Sequence, residues 1–276
     1  MSSGIVEIPP KSLVAPGDIY KDQKPEMNAL WEFNYLLYLS DVTAVFDGFK
    51  ALDIQDFAIR HKELRVVIGP NGAGKSTMCD VITGKTRPAS GQVFYDKKEI
   101  TTLSEVEIST MGIGRKFQTP TVFDSLTVFE NMELALPMAK GPWSALFYKT
   151  GPKEREKIMS ILERVHLDSL AHVQARFLSH GQRQWLAISS LIISEPQLLL
   201  VDEPAAGLTD KETELTAQLL LELKKNHTIL VIEHDMDFVR QLDSRVTVLN
   251  EGRVIAEGSL DQIKQDEQVI EAYLGR

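Results

Sequence analysis

The sequence predicts an α/β fold, and three stretches carry that prediction. Glu63–Ile68 (Glu-Leu-Arg-Val-Val-Ile) reads as a short buried strand, followed by a glycine-rich turn and a helical stretch, Met78–Thr83. Leu198–Pro204 (Leu-Leu-Leu-Val-Asp-Glu-Pro) is a second apolar strand, ending in two adjacent carboxylates. Between them, residues 119–185 read as a mainly helical insertion between strands of a parallel sheet.

The turn after the first strand, Gly69–Thr77, reads Gly-Pro-Asn-Gly-Ala-Gly-Lys-Ser-Thr and fits G-x-x-x-x-G-K-[ST], a phosphate-binding loop. Its glycines let backbone N–H groups turn inward on a polyphosphate, and the helix that follows adds partial positive charge. Lys75 can reach the β- and γ-phosphates, and Ser76 can ligate Mg²⁺. A plain glycine turn is the competing reading; the strand before and helix after disfavour it. The stretch predicts nucleoside triphosphate binding.

The 276 residues suffice for one large domain, or one domain with a subdomain. With 43% hydrophobic and 25% charged residues, the composition is that of an ordinary globular protein. A net charge of −9 argues against a nucleic-acid surface. One cysteine, Cys79, excludes an internal disulfide and points to a reducing compartment; in its apolar stretch it reads as a buried structural thiol. No apolar run reaches the ~18–20 residues that span a bilayer, and the N-terminus lacks the layout of a secretory signal. Any membrane role must then come through partners.

Residues 1–38 read as an N-terminal extension, punctuated by Pro9, Pro10, Pro16, Gly17 and Pro25, to which no function is assigned. The domain is expected over residues 39–276. From Leu39 to Ile59, alternating apolar and polar residues suggest short strands joined by a turn at Asp47-Gly48. Phe46, just before that turn, could stack on a base or belong to the core. Gly91–Asp96 is another strand. Leu126–Leu136 has helical spacing, and Glu154–His166 is an amphipathic helix.

The second strand places Asp202 where ligands of a parallel sheet bind, so it can face the Mg²⁺ held at Ser76. Glu203 then stands ready to orient or deprotonate an attacking water. Upstream, Leu178–Gln182 (Leu-Ser-His-Gly-Gln) opens a helix; alone it is an N-cap. Beside the other motifs it offers a second set of anion-facing N–H groups.

In this order the motifs resemble those of the ATP-binding subunits of ABC transporters, over roughly Leu39 to Arg276. They are the phosphate loop, Gln118 in Arg-Lys-Phe-Gln, the signature Leu178–Gln182, Asp202-Glu203, Ala205–Asp210, and His234 in Val-Ile-Glu-His-Asp. The resemblance implies a P-loop NTPase fold of the ABC ATPase type: a mixed β-sheet core, a helical subdomain at about 119–185, and a small antiparallel β subdomain. It implies that Asn71, Gly72, Ala73, Gly74, Lys75, Ser76 and Thr77 hold the triphosphate. Ser76 and Gln118 would meet Mg²⁺, supported by Asp202. Glu203 would be the general base, and His234 would contact the γ-phosphate and the attacking water. Phe46 matches the aromatic that stacks on adenine, usually a tyrosine. Ser179, Gly181 and Gln182 would act in trans on the nucleotide of a facing subunit, with Asp210 at the interface. The commonest signature has glycine where this chain has His180, which is not read as catalytic.

Within the family, Val269–Gly275 resembles the tail of ATPases that serve branched-chain amino-acid-type importers. Lys116–Phe123 and the Leu-Ser-His-Gly-Gln signature make the chain most similar to the ATP-binding subunits of urea importers. A branched-chain amino-acid or amide importer is the alternative. The implied partners are a second ATP-binding subunit, in a hetero- or homodimer, transmembrane permease subunits and, indirectly, a solute-binding protein. The implied location is the cytoplasmic face of the membrane, through the permease. Thr119–Met132 is the candidate groove for a helix of the permease, with half of its apolar side chains expected to pack internally. A non-transport ABC ATPase, a kinase and a catalytically dead cassette are the competing classes. The absence of a second cassette, the signature, and the trio Lys75, Glu203 and His234 disfavour them in turn.

Overall fold

The computed structural model describes residues 34–116, 122–137 and 150–274. Gln118, the first three residues of the segment expected to carry the groove (Thr119, Pro120 and Thr121), and nearly all of the N-terminal extension lie outside the described residues.

Two sheets organise the described chain. The first is antiparallel: β1 (Tyr35–Phe46) and β2 (Phe49–Arg60) form a hairpin, and β4 (Ser90–Tyr95) and β5 (Lys98–Glu99) complete the order β2-β1-β4-β5. The hairpin turns at Asp47-Gly48, both with positive φ, as a two-residue Asp-Gly turn requires. Its strands are longer than the alternation suggested. β1 starts at Tyr35, with Leu36, Leu37 and Tyr38 fully or almost fully buried. The domain therefore begins before residue 39. Adjacent residues there are buried on both faces, which removes the period-2 signal.

The second sheet runs β10 (Arg253–Gly258), β9 (Arg245–Asn250), β3 (Leu64–Ile68), β8 (Thr228–Ile232), β7 (Leu198–Asp202) and β6 (Ile113–Lys116). β9, β3, β8, β7 and β6 are mutually parallel, and β10 closes the edge antiparallel to β9. β3, β7 and β8 are buried at every residue, as expected for parallel strands covered on both faces. Alternate side chains serve two cores. Leu198, Leu200, Leu230 and Ile232 pack toward the antiparallel sheet, α1 (Lys75–Ile82) and α2 (Glu105–Thr110). Leu199, Val201, Ile229 and Val231 face α3 (Val128–Leu134), α4 (Pro152–Arg164), α5 (His180–Ile192), α6 (Asp210–Leu223) and α7 (Met236–Leu242). The mixed sheet, the antiparallel sheet and the intervening helices match the expected fold class.

Cys79 is buried on α1, as expected, and burial pushes its thiol up to about 12. No described helix is long and apolar enough to cross a membrane. The C-terminal α8 (Leu260–Ile263) and α9 (Glu267–Leu274) close over the end of β3 around an apolar cavity of about 210 Å³ lined by Ile68, Met236, Leu260 and Val269.

Candidate active site

Because β3, β8, β7 and β6 run parallel, their C-terminal ends share one edge of the sheet, where such sheets bind ligands. That edge gathers Gly69–Thr77 after β3, Glu233 and His234 after β8, Asp202 and Glu203 at β7, and Arg115 and Lys116 on β6.

The phosphate loop is held by backbone that leaves no room for side chains. A Cβ at Gly69 would lie 2.2 Å from the carbonyl oxygen of Leu249. One at Gly74, whose φ is +99°, would lie 2.7 Å from that of Ala51. The β9–β10 turn locks the same region: Gly252 donates to Ala73 O at 3.0 Å, and Asp53 donates to Gly252 O at 2.8 Å. Thus the loop is wedged between β2 and the β9–β10 turn, while Asn71, Gly72 and Ser76 stay exposed. Lys75 heads α1. Its Nζ donates to Gly69 O at 2.7 Å and Pro70 O at 3.0 Å, and burial lowers its pKa against the pull of Glu203 and Asp202.

Asp202 ends β7, and burial raises its pKa while Arg115 opposes the shift. Arg115 Nη2 lies 3.4 Å from Asp202 Oδ2, and Nη1 pairs with Asp80 on α1, so the guanidinium ties β7 to the phosphate-loop helix. Lys116, also buried, donates from Nζ to Asp202 O at 3.2 Å, and burial brings it down to about 8. Ser76 is exposed at the head of α1 and Asp202 is buried at the end of β7, both hard-oxygen donors of the kind that Mg²⁺ takes. Among the described residues no cluster of three acidic, His or Cys ligands exists.

Glu203 lies one residue past the strand, in left-handed backbone (φ +45°), a conformation that costs about 1–3 kcal/mol and collects at functional sites. Its amide donates to Ile232 O at 2.9 Å. Its Oε1 lies 3.6 Å from His234 Nδ1, which puts the expected base and the expected γ-phosphate sensor side by side. His234 is 63% exposed, open to a ligand.

Sequence reasoning assigned no role to Glu233. Its side chain is 1% exposed; Oε1 accepts from Ala205 N at 2.9 Å, and Oε2 accepts from His234 N at 2.9 Å and Asp235 N at 3.2 Å. Burial raises its pKa, against those three donors. The signal available was a carboxylate next to His234 at the end of an apolar strand, but the partner that ties it to the neighbouring strand end, Ala205, is 28 residues away and invisible locally.

Ser179 is the N-cap of α5 in a capping box with Gln182: Gln182 N donates to Ser179 Oγ at 3.2 Å, and Ser179 N donates to Gln182 Oε1 at 2.9 Å. A Cβ on Gly181 would meet the Glu212 carboxylate at 2.3 Å. The capping bonds stay within the first turn of α5, the Gly181 contact faces α6, and none of them reaches the chain's own phosphate loop. Phe46 is 47% exposed at the hairpin tip, opposite Phe49, so the reading that placed it in the core does not hold. In the expected groove, Val128, Phe129 and Met132 pack into the core while Phe123 is 58% exposed.

A phosphate loop, a strand-end Asp-Glu pair and a facing histidine on a parallel sheet define an ATP-hydrolysing protein of the P-loop class. Residues 52–206 match the family model for ABC transporters, and residues 253–276 match that of branched-chain amino acid ATP-binding cassette transporters. The chain is 34% identical over 249 residues to the high-affinity branched-chain amino acid transport ATP-binding protein LivG of Escherichia coli (strain K12), covering 87% of this chain and 98% of that protein. It is 35% identical over 250 residues to the probable LivG of Methanocaldococcus jannaschii, covering 87% and 97%. It superimposes on the ADP conformation of MJ1267, an ATP-binding cassette of an ABC transporter, with TM-score 0.76 and 34% identity, over 88% of this chain and 99% of that one. A dimeric post-hydrolysis cassette, MJ0796 bound to ADP and Pi, gives TM-score 0.71 at 28% identity, over 82% and 99%. The chain belongs to the ABC transporter family as an ATP-binding subunit, and such cassettes bind ATP with Mg²⁺, work as dimers and hydrolyse ATP to power transport.

Proposed function

We propose that this chain powers an importer for branched-chain amino acids, working in a pair of ATP-binding subunits on the cytoplasmic face of the membrane, beneath permease subunits. The observation that carries the solute is the C-terminal match over residues 253–276, joined by relatives that bear branched-chain amino acids in their names. Urea, the first expectation from the signature, has no support among these relatives, and the alternative replaces it.

In this reading the loop Asn71–Thr77 and Lys75 cradle the triphosphate, and an aromatic at the hairpin tip, Phe46, stacks on adenine. Bound Mg²⁺, held by Ser76, Gln118 and Asp202, would neutralise charge on the β- and γ-phosphate oxygens. Glu203 takes the proton of the attacking water, and His234 holds that water and the γ-phosphate. Their 3.6 Å separation supports the pairing. Ser179, Gly181 and Gln182 complete the nucleotide site of the facing subunit.

The test is co-expression with candidate permease pairs, reconstitution in lipid vesicles, and ATP hydrolysis measured with each solute-binding protein. Stimulation by leucine, isoleucine or valine supports the reading. Stimulation by urea alone would restore the first expectation while leaving the nucleotide chemistry intact.

A further inference from the structure

His180 stands at the signature position where the commonest family sequence has glycine, and its ring makes a bond that glycine could not. Its Nε2 lies 3.1 Å from Ala206 O. A carbonyl only accepts, so Nε2 carries the proton. The ring also packs against Gly207. Gln184, one turn further along α5 and fully buried, points the same way. Its Nε2 sits 3.4 Å from His180 Nε2, while its Oε1 has no partner. Two donors do not bond each other. The one Nε2 proton is already given to Ala206 O, so Gln184 lies beside the ring without a bond to it.

The path continues from Ala206. Its neighbour Ala205 donates to Glu233 Oε1, and Glu233 Oε2 accepts from the amide of His234. A bonded route therefore runs from the His180 ring, through Ala206 and Ala205, to the Glu233 carboxylate and on to His234. One end opens the signature helix; the other faces the catalytic Glu203. The three segments therefore cannot shift independently without breaking a bond; the Ala205–Glu233 bond is buried, the Glu233–His234 bond is partly buried, and the His180–Ala206 bond lies at the surface.

We propose that His180 and Glu233 are positioning residues that join the signature, the Ala205–Asp210 turn and His234 into one unit, so that nucleotide held at Lys75 is felt at Ser179–Gln182 of the same chain. The proposal rests on the reading above, in which His234 meets the γ-phosphate and the signature serves the facing subunit. It makes the occupancy of one site a determinant of how firmly the chain closes on the other. The coupling element is physical and contiguous, and its strength is measurable.

The experiment is amide hydrogen exchange on the full chain, with and without Mg²⁺ and a non-hydrolysable ATP analogue, at a dilution where light scattering shows monomer. In the wild type, nucleotide is expected to slow exchange over Gly69–Thr77 and, by about threefold, over Leu178–Arg183. His180→Gly and Glu233→Gln keep the first effect and lose the second. His180→Gln, which retains an N–H donor, restores it. If His180→Gly preserves the signature protection, or the wild type shows none while Gly69–Thr77 is protected, the proposal is overturned. If Gly69–Thr77 gains no protection, the nucleotide-site reading itself fails, and the proposal with it. Unchanged exchange in β3 and β8 verifies that each variant is folded. Should Glu233→Gln fail that check, the two His180 variants decide.

Discussion

Glu203→Gln removes a carboxylate while keeping its shape. The backbone at this position is left-handed and tied to Ile232 O, and both features survive in glutamine. What changes is proton acceptance, because an amide cannot serve as a base at neutral pH. General-base assistance contributes ~10²–10⁴-fold, equivalent to ~2.7–5.4 kcal/mol on the barrier, so turnover is expected to fall by that range. ATP binding is expected to hold or tighten a few-fold. Glu203 helps keep Lys75 charged, but its own charge also repels a triphosphate. The assay is phosphate release from the assembled transporter beside equilibrium binding of a fluorescent ATP analogue. Turnover above about a tenth of wild type would refute the assignment of Glu203 as the base. A tenfold loss of affinity would show that it holds the nucleotide instead.

Arg65 is 2% exposed, with Glu257 at 2.6 Å, Glu63 at 2.6 Å and Thr247 at 2.9 Å, beneath the Phe57 ring. Arg65→Met removes one of the two cations on the buried Glu257 carboxylate, which keeps Arg245 at 2.7 Å and Thr247 at 2.7 Å; the lost charged hydrogen bond costs about 1.5–3 kcal/mol, so calorimetry should show Tm falling by about 3–12 °C. Arg65→Met combined with Glu257→Leu should recover part of that loss. Cys79, raised to about 12 by burial, is expected to resist iodoacetamide at pH 8 in the folded protein and to react within minutes in denaturant; fast native labelling read by mass spectrometry would contradict its burial. Phe123→Asp is expected to leave ATP binding unchanged and to lower solute-driven ATP hydrolysis in vesicles, because Phe123 is exposed while its apolar neighbours are packed inward. Normal transport by that variant would move the permease contact elsewhere.

How far the sequence could be read depends on whether a residue's partners are near it in the chain. The phosphate loop was legible because its geometry is local: strand, glycine turn and helix N-terminus occupy fewer than twenty residues, and each demands particular residue types. Ser179 was legible as an N-cap for the same reason, since its partner Gln182 lies three residues on. The start of β1 was not, because burial on both faces erased the alternation that marks a strand. Phe46 was undecidable, since a lone aromatic before a turn gives no sign of which face it takes. Arg115 and Glu233 were out of reach for a stronger reason. Arg115 answers to Asp80 and Asp202, 35 and 87 residues away, and Glu233 to Ala205 across two strands. A buried charge is tolerated only where partners meet it, and that meeting is a property of the fold. His180 lies between these cases. Its departure from glycine was visible in the sequence and carried no role there. Only the position of the Ala206 carbonyl, 26 residues further along, turns the substitution into a bond. Sequence comparison can therefore flag where a chain differs within its family. What the difference does is decided by the groups that the fold brings within 3.1 Å of it.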